Sequence, residues 1–407
     1  MTDFISQDLS INSTLTKMTR ENYLEVFDNQ ITTKPSAFMA KIKKQKLKSD
    51  SITAGAPIGL NGGFGFGAEG LATPAAAGQL YEKFHVTAKD AYVNLAISVK
   101  ATKLATKGGA LVDALHNEIT SAYTAADWNI GRALCGNGTG ILTTIEASNG
   151  NTIKVADTRC LKEGLVIDIY ATGGTTPVAG GKARRIKSLD RAAKTITVDG
   201  DSQSFDAGFI TVQNSLNKEI TGLGAIFDNS VTTLYGVNKE DNPVLYPTAI
   251  DAGHDVNDSF ITDALMTAED DKNSQVDLLM CGRDSYNHYV QYLRENNIRV
   301  EDRTHVIAGG FKAIKFLVGN REVDVVYEKF VPSGEMWGVE SGKFIYAYTP
   351  WDFATLDGAG AFNLMENSSV YRALLASYSE LICKNPGGCV RIYNCCSGYS
   401  DHIKQDS

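Results

Sequence analysis

One long stretch of the chain carries its apolar residues at helical spacing. Between residues 109 and 134 they recur at intervals of three and four positions: Leu111, Leu115, Ile119, Ala122, Ala126, Ile130 and Ala133. About 26 residues at ~1.5 Å rise each predict a helix ~40 Å long. The glycine-rich residues 136–140 are typical of a helix C-terminus, because glycine accepts a left-handed cap. The pattern predicts a structural strut.

Two segments of strand composition flank a glycine-rich tip. Residues 41–58 and 78–102 have extended character, and apolar and polar positions alternate from Tyr81 to Val86. Together they predict a long two-stranded projection. An isolated hairpin is only marginally stable in water, so the projection needs a surface to lie against. A second copy of the chain is the expected support.

The tip between these segments, residues 59–77, contains a literal G-x-G-x-x-G, Gly65-Phe66-Gly67-Ala68-Glu69-Gly70. The dinucleotide fingerprint requires a strand before it and a helix after it. Here a glycine-rich stretch precedes the match, and Leu71-Ala72-Thr73-Pro74 does not open a long helix. We therefore predict no cofactor here and interpret the segment as a long flexible tip.

Residues 143–214 read as a separate β module. Short strands are predicted at 153–155, 165–170, 183–186 and 195–198, with glycine-containing turns between them. Their spacing is typical of a small barrel. Gly181-Lys182 lacks the remaining positions of a phosphate-binding loop, so it predicts no nucleotide site.

An α/β stretch covers residues 250–345. Asp258 and Asp284 are predicted to cap two helices, the first running to about Glu269. Strands are predicted at 276–281, 313–318, 322–327, 336–339 and 343–348. The acidic residues between Asp251 and Asp271 fit no EF-hand loop, so a solvated acidic surface is favoured over a metal site.

The N-terminal forty residues are polar and predict an arm with one helix at 19–29. Five lysines follow within residues 41–48. A solvated edge strand is the favoured interpretation, because lysine protects exposed edges from mispairing. Contact with a polyanion is the alternative.

Composition narrows the function classes. The 407 residues carry a formal net charge of −8. A protein dedicated to nucleic-acid recognition has a basic surface patch, so this class is not favoured. No apolar run approaches the ~20 residues of a membrane span. An acid stands at Asp3, where a signal peptide has a base, so we expect a cytoplasmic product. The seven cysteines are then expected to be reduced.

The late cysteines and the histidines point to structure rather than chemistry. Cys383, Cys389, Cys395 and Cys396 have no zinc-ligand spacing, so structural thiols are favoured over a metal site. Cys383 and Cys389 flank a turn and are expected to face each other, with a disulfide left open. The six histidines fit no zincin motif, and no G-x-S-x-G elbow occurs. We therefore predict no catalytic residues, no metal and no cofactor: the chain is not expected to be an enzyme.

The order of these parts carries a family resemblance, supported by three stretches. Trp128-Asn129-Ile130-Gly131-Arg132 leads into a small, glycine-rich helix exit. Val331-Pro332-Ser333-Gly334-Glu335 precedes the last strands, and a Y-x-x-L-x-x-x-N-P pattern begins at Tyr378. Arm, glycine-tipped loop, long helix, α/β domain and returning β segment together resemble the major capsid protein of tailed double-stranded DNA bacteriophages. Encapsulins and the herpesvirus capsid floor share that fold.

The resemblance implies an α+β capsid fold with an inserted, small β-barrel-like module. Its parts would be an N-terminal arm (1–40), an extended β loop (41–102, tip 59–77), the spine helix of a peripheral domain (103–142), the inserted module (143–214), an axial domain (215–345) and a returning β segment (346–407). It also implies assembly roles for Gly62, Gly63, Phe64, Gly65, Phe66, Gly67, Lys83, Lys89, Trp128, Trp337, Asn385 and Pro386.

The resemblance further implies self-assembly as hexamers and pentamers into an icosahedral virion shell, built in the host cytoplasm around packaged DNA. A precursor shell would expand as the DNA enters. The expected partners are other copies of the chain, a separate scaffolding protein, a portal protein and a decoration protein, with only non-specific contact to DNA and none to a membrane. An encapsulin-like compartment is the alternative.

Overall fold

The computed structural model describes residues 36–57, 59, 61–67, 75, 77–98, 110–253, 256–296, 298, 303–307, 310–354, 363–364 and 369–396. The predicted helix at 19–29 lies outside these residues, as do residues 1–35 of the predicted arm and part of the tip. The described α-helices are α1 (Ala37–Lys41), α2 (Ala110–Leu134), α3 (Leu223–Phe227), α4 (Asp258–Lys272) and α5 (Arg283–Glu295).

The described strands share four larger assemblies and one two-residue ribbon. They are β1 (Lys43–Lys46), β2 (Ser51–Pro57), β3 (Tyr81–Thr87), β4 (Lys89–Ser98), β5 (Ile141–Asn149), β6 (Thr152–Val155), β7 (Val166–Ala171), β8 (Arg184–Asp190), β9 (Thr195–Val198), β10 (Gly208–Val212), β11 (Thr233–Leu234), β12 (Val237–Asn238), β13 (Thr248–Asp251), β14 (Leu278–Cys281), β15 (Thr304–Val306), β16 (Lys312–Val318), β17 (Arg321–Tyr327), β18 (Met336–Val339), β19 (Phe344–Tyr348), β20 (Asp352–Phe353), β21 (Asn363–Leu364), β22 (Val370–Cys383) and β23 (Val390–Tyr393).

A six-stranded sheet is built around β22. The 14-residue β22 pairs antiparallel with β4 on one side and with β19, β20 and β21 on the other, and β1 lies parallel to β19 at an edge. The lysine-rich segment is therefore an edge strand, as the favoured interpretation predicted. Residues with long sequence separation meet here, because β4 and β22 are far apart in the chain.

The predicted two-stranded projection is shorter than the sequence pattern indicates. Within the described part of the projection, β2 and β3 pair with each other, from Ser51 opposite Thr87 to Pro57 opposite Tyr81. The flanking β1 and β4 instead join the six-stranded sheet. Partners in that sheet hydrogen-bond the backbone of both strands, and the face of β4 that carries Ala91, Val93 and Leu95 packs against the core.

A closed barrel forms from β5 to β10, in the order β10-β5-β6-β9-β8-β7. Its interior is filled by alternate aliphatic side chains, including the fully buried Ile153, Ile167 and Ile196. The four predicted strands are present, and β5 and β10 complete the closure. The prediction of a small barrel is confirmed.

A seven-stranded sheet, β13-β23-β18-β14-β17-β16-β15, forms the α/β part. One face packs against α4 and α5 through residues such as Leu265, Tyr289 and Val325, and the other faces the main core through Leu278 and Val339. Within this sheet β14 is buried on both faces, which explains its continuous apolar run from Leu278 to Cys281.

Both predicted helix caps in this part were misplaced. The cap of α4 is Asn257, whose Oδ1 accepts a hydrogen bond from the Phe260 N–H at 2.9 Å. The cap of α5 is Gly282, with Asp284 inside the first turn. Ser333 satisfies the free N–H groups of α5, since its carbonyl accepts from the Ser285 N–H at 3.0 Å. A side-chain cap at position 282 is sterically excluded, because a Cβ there would lie 1.9 Å from the Pro332 carbonyl oxygen.

The long predicted helix is confirmed as α2, Ala110–Leu134. Its C-terminal half packs into the main core through Ala126, Ile130 and Leu134. Among the described residues, no helix has the length and apolar character needed to cross a membrane.

Candidate assembly surfaces

The glycine-rich tip presents two aromatic rings to solvent. Phe64 is 80% exposed and Phe66 is 95% exposed, and their ring centroids lie 5.3 Å apart in an edge-on arrangement. The Gly63 N–H donates to Asn61 Oδ1 at 2.8 Å, which shapes the turn before them. Two adjacent exposed phenylalanines form an apolar feature that a partner surface can cover.

The paired strands of the same hairpin are anchored in the core. Phe84 on β3 and Ala56 on β2 are buried, and the Phe84 ring lies 5.3 Å from that of Tyr235. The His85 N–H also donates to the Tyr235 carbonyl at 3.0 Å. The hairpin therefore has a fixed root and an apolar end.

The two loop lysines differ in environment. Lys83 is exposed on β3. Lys89 is half-buried at the start of β4, where its charge acts on the buried carboxyl of Glu380. Lys83 is the one of the two that an incoming partner can reach freely.

Both predicted tryptophans pack inside the subunit. Trp128 is half-buried, with its ring centroid 5.7 Å from that of Phe330. Trp337 is 4% exposed, stacks on Phe227 at 4.9 Å, and donates from Nε1 to Glu335 at 2.8 Å. These contacts account for Trp337 as a core residue, with no surface to offer a neighbour.

The turn at Asn385 and Pro386 joins the two large sheets. Pro386 is buried in a short 3-10 turn between β22 and β23. The following Gly387 lies so close to the 3-10 turn Pro243–Leu245 that a Cβ would stand 1.9 Å from the Val244 carbonyl oxygen. The turn thus fixes the path of the chain from β22 in the six-stranded sheet to β23 in the seven-stranded sheet.

A second exposed surface was missed at the sequence level. On the outer face of the six-stranded sheet, Tyr92 of β4 is 53% exposed and Tyr378 of β22 is 41% exposed, with Asp90 opposite Tyr378 in the register. Arg372 holds the same face by donating to Asn94 Oδ1 at 2.6 and 3.0 Å. Exposed tyrosines with an arginine are typical of protein interfaces. The alternation of Asp90, Tyr92 and Asn94 was the available signal.

Charged groups concentrate around the C-terminal end of α2. Arg132 forms a two-pronged ion pair with Glu219, at 2.6 and 2.9 Å. Glu380 of β22 is fully buried and accepts from the N–H groups of Thr221 at 2.6 Å and Leu381 at 3.0 Å. Burial raises the pKa of Glu380 to about 7.

A second buried carboxyl lies near the same end of α2. Glu328 follows β17, is buried, and acts electrostatically on the Cys135 thiol just beyond α2. Burial raises the pKa of Glu328 to about 7 as well. Two carboxyls that are half-protonated near neutral pH therefore lie where the large sheets meet the long helix.

Comparison with known proteins identifies the fold. Neither a protein-family model nor a curated protein matches the sequence. The cyanophage A-1(L) capsid asymmetric unit aligns with a TM-score of 0.53 at 11% sequence identity, over 90% of this chain and 94% of that chain. The capsid of the native GTA particle aligns with a TM-score of 0.46 at 8% identity, over 88% and 90%. An encapsulin complex from Synechococcus elongatus aligns with a TM-score of 0.43 at 7% identity, over 87% and 85%.

The cyanophage match defines the class of fold. This chain has the α+β fold of a phage capsid protein, as the sequence resemblance implied, and the match extends over nearly the whole of both chains. The other two matches score lower, and the fold assignment rests on the cyanophage capsid.

Proposed function

We propose that this chain is the major capsid protein of a tailed bacteriophage, a structural protein without enzymatic activity. Copies assemble as hexamers and pentamers into an icosahedral shell that encloses double-stranded DNA. The fold supports this proposal, and the apolar tip carries it, because Phe64 and Phe66 have no covering partner among the described residues of their own subunit.

The geometry of the hairpin favours a neighbouring subunit as that cover. Buried residues reach almost to the tip-side end of the paired strands, since Phe84 lies at the middle of β3 and Ala56 one residue before the end of β2. The part of the hairpin that is left for a partner to cover is therefore the tip beyond Pro57 and Tyr81. Contacts of this head-to-tail kind close into rings and shells when the rotation between copies closes.

The parts of the chain receive the roles of the capsid fold. The arm is residues 1–40, the extended loop 41–102, the spine helix region 103–142 and the inserted barrel module 143–214. The axial domain is 215–345, and 346–407 returns to the peripheral domain. The seven-stranded sheet with α4 and α5 supports the axial assignment, and the six-stranded sheet with α2 supports the peripheral one.

The partners follow from the same proposal. A separate scaffolding protein directs a precursor shell in the host cytoplasm, a portal protein replaces one vertex, and a decoration protein binds outside. The net charge of −8 limits contact with packaged DNA to weak, screened, non-specific interactions.

Sedimentation velocity with negative-stain imaging tests the proposal first. The purified protein, alone and with its candidate scaffolding partner, is expected to form megadalton particles. A monomer under both conditions would refute the shell. Particles formed in cells are then assayed for DNA: nuclease-resistant double-stranded DNA supports a phage shell, whereas DNA-free particles with protein cargo indicate an encapsulin-like compartment.

Substituting the tip tests the contact itself. In the double variant Phe64→Ser and Phe66→Ser, each lost ring removes about 1.5–3 kcal/mol of burial energy. Together they weaken one contact by about 3–6 kcal/mol, which raises the protein concentration needed for assembly about 100-fold or more. Monomer stability should stay unchanged, because both rings are exposed.

The matched control is Ile141→Ser, at a half-exposed position on the barrel. It should assemble like the unmodified protein. Deletion of residues 59–77, like the double phenylalanine variant, should leave a folded monomer, and this monomer should form no shells. Normal shells from the deletion or the double variant would refute the role of the tip.

A further inference from the structure

Two buried thiols lie at the two ends of the turn where the two large sheets join. Cys383 is the last residue of β22 in the six-stranded sheet, and Cys389 immediately precedes β23 in the seven-stranded sheet. Both are buried free thiols of the same apolar cluster, and the Cys389 Sγ donates to the Asn385 carbonyl oxygen at 4.0 Å, which directs it back toward the start of the turn, two residues after Cys383. The neighbouring Cys383 thiol and burial raise the pKa of the Cys389 thiol.

The backbone around the pair is held from several directions. The Cys383 N–H donates to the Tyr235 hydroxyl at 3.2 Å. The Cys389 carbonyl accepts from the Thr248 N–H at 3.0 Å. The turn between them is packed against Val244 so tightly at Gly387 that no side chain fits. The fold itself therefore holds the two thiols at the two ends of one tightly packed turn.

We propose that Cys383 and Cys389 are a disulfide-forming pair whose bond covalently fixes the joint between the two sheets. The oxidant is a low-molecular-weight disulfide of the glutathione class. One cysteine thiolate attacks that disulfide and releases one glutathione thiol. The second cysteine then attacks the mixed disulfide and releases the other. The protein loses two protons and two electrons, and the two glutathione thiols that are released gain them. This inference is independent of the proposed shell function.

Burial sets how the pair reacts. A thiol with a raised pKa supplies little thiolate, and a buried thiol is inaccessible to exchange. Oxidation of the closed protein is therefore slow, and the same burial protects the bond from reduction once it is formed. The decisive quantity is the equilibrium between dithiol and disulfide, approached from both sides.

Trypsin separates the two cysteines, which makes the bond directly measurable. Cleavage after Arg372, Lys384 and Arg391 places Cys383 in peptide 373–384 and Cys389 in peptide 385–391. The full-length chain is equilibrated in glutathione buffers of graded ratio, starting from the reduced folded protein and from the oxidised, urea-unfolded protein returned to native conditions. Free thiols are trapped by alkylation, and non-reduced digests are analysed by mass spectrometry.

The expected result is a linked pair of these peptides in the folded protein, with an equilibrium constant at least tenfold higher than in urea. Tenfold corresponds to about 1.4 kcal/mol of stabilisation of the fold by the bond. Cys389→Ser must abolish the linked species. Cys160→Ser is the matched control and must leave it in place, because Cys160 interacts with Cys135 instead.

Two outcomes would overturn the proposal. In one, the refolded protein loses the bond at glutathione ratios where the unfolded chain keeps it, which means that native geometry opposes the disulfide. In the other, Cys383 or Cys389 is linked mainly to a different cysteine. Cys281 and Cys395, which also interact electrostatically, lie in separate tryptic peptides, so the same digest reports their pairing.

Discussion

The substitution Glu380→Gln should remove one part of the pH dependence of the free energy of unfolding. Glu380 is fully buried, and its pKa is raised from the ordinary 4.5 to about 7. Between these two values the unfolded chain releases the proton while the folded protein keeps it. Stability therefore falls as pH rises from about 4.5 to about 7 and is level above that.

The size of the effect follows from the shift. The difference between about 7 and 4.5 is ~2.5 pKa units, and at ~1.4 kcal/mol per unit the loss is about 3 kcal/mol. Two interactions oppose it, the N–H groups of Thr221 and Leu381, which favour the ionised carboxylate. Desolvation outweighs them because the carboxyl is fully buried and the cation that acts on it, Lys89, is itself half-buried.

Glu380→Gln keeps an oxygen that accepts from the same N–H groups and cannot ionise. In urea titrations of the unassembled protein at about pH 5 and about pH 8, the variant should gain up to about 3 kcal/mol relative to the unmodified protein as pH rises. Glu328→Gln, at the other buried carboxyl with a pKa of about 7, is the matched comparison and should behave alike. If Glu380→Gln were less stable than the unmodified protein at pH 8, the carboxylate would be ionised and held by its donors, and the reasoning would fail.

Two further substitutions probe the same region. Gly222→Ala would place a Cβ 2.4 Å from the Ala133 carbonyl oxygen, so it should destabilise the fold by about 1–3 kcal/mol or more; Gly342→Ala, where a Cβ meets no atom within 4 Å, is the control in the same urea titration. Arg132→Gln leaves Glu219 nearly buried without its cation and should cost about 3–5 kcal/mol at pH 8. A deficit as small as that of Gly342→Ala would show that the ion pair does not stabilise the fold.

Elements with strong local periodicity were predictable from the sequence. The helical spacing around Leu115 and Ile130 gives α2, and short alternating runs give the barrel strands. These patterns are local, because each residue's environment depends on neighbours three or four positions away, or two in a strand. The capsid fold itself followed from the order of such elements.

Pairing between distant segments was not predictable in the same way. Nothing in residues 89–98 specifies β22 as the partner, and the parallel contact of β1 with β19 joins segments about 300 residues apart. Such pairings are decided by which faces the folded chain must bury. The prediction that Asp258 caps α4 was wrong for a related reason. Asn257 and Asp258 are both good capping residues, and the backbone conformation makes Asn257 the cap.

Some residues of the candidate assembly surfaces could be recognised from composition, whereas the place of others depends on how the chain packs. Glycine and phenylalanine at 62–67 marked the tip, but Trp337 was chosen by residue type and lies in the core at 4% exposure. The outer face with Tyr92 and Tyr378 was hidden because its members come from two distant strands. The alternation of Asp90, Tyr92 and Asn94 marks the outward face of β4, but it does not show which strand lies beside it.

Exposure separates the residues that stabilise the subunit from those that join subunits. Phe64 and Phe66 gain almost nothing from their own fold, because their rings remain in solvent, so selection on monomer stability would favour polar residues there. Gly222 and Arg132 have the opposite character, since Gly222 is packed against the end of α2 and Arg132 is buried within that end. Substitutions at the tip should therefore change assembly at constant monomer stability, and substitutions at the helix end should change assembly only as far as they unfold the subunit.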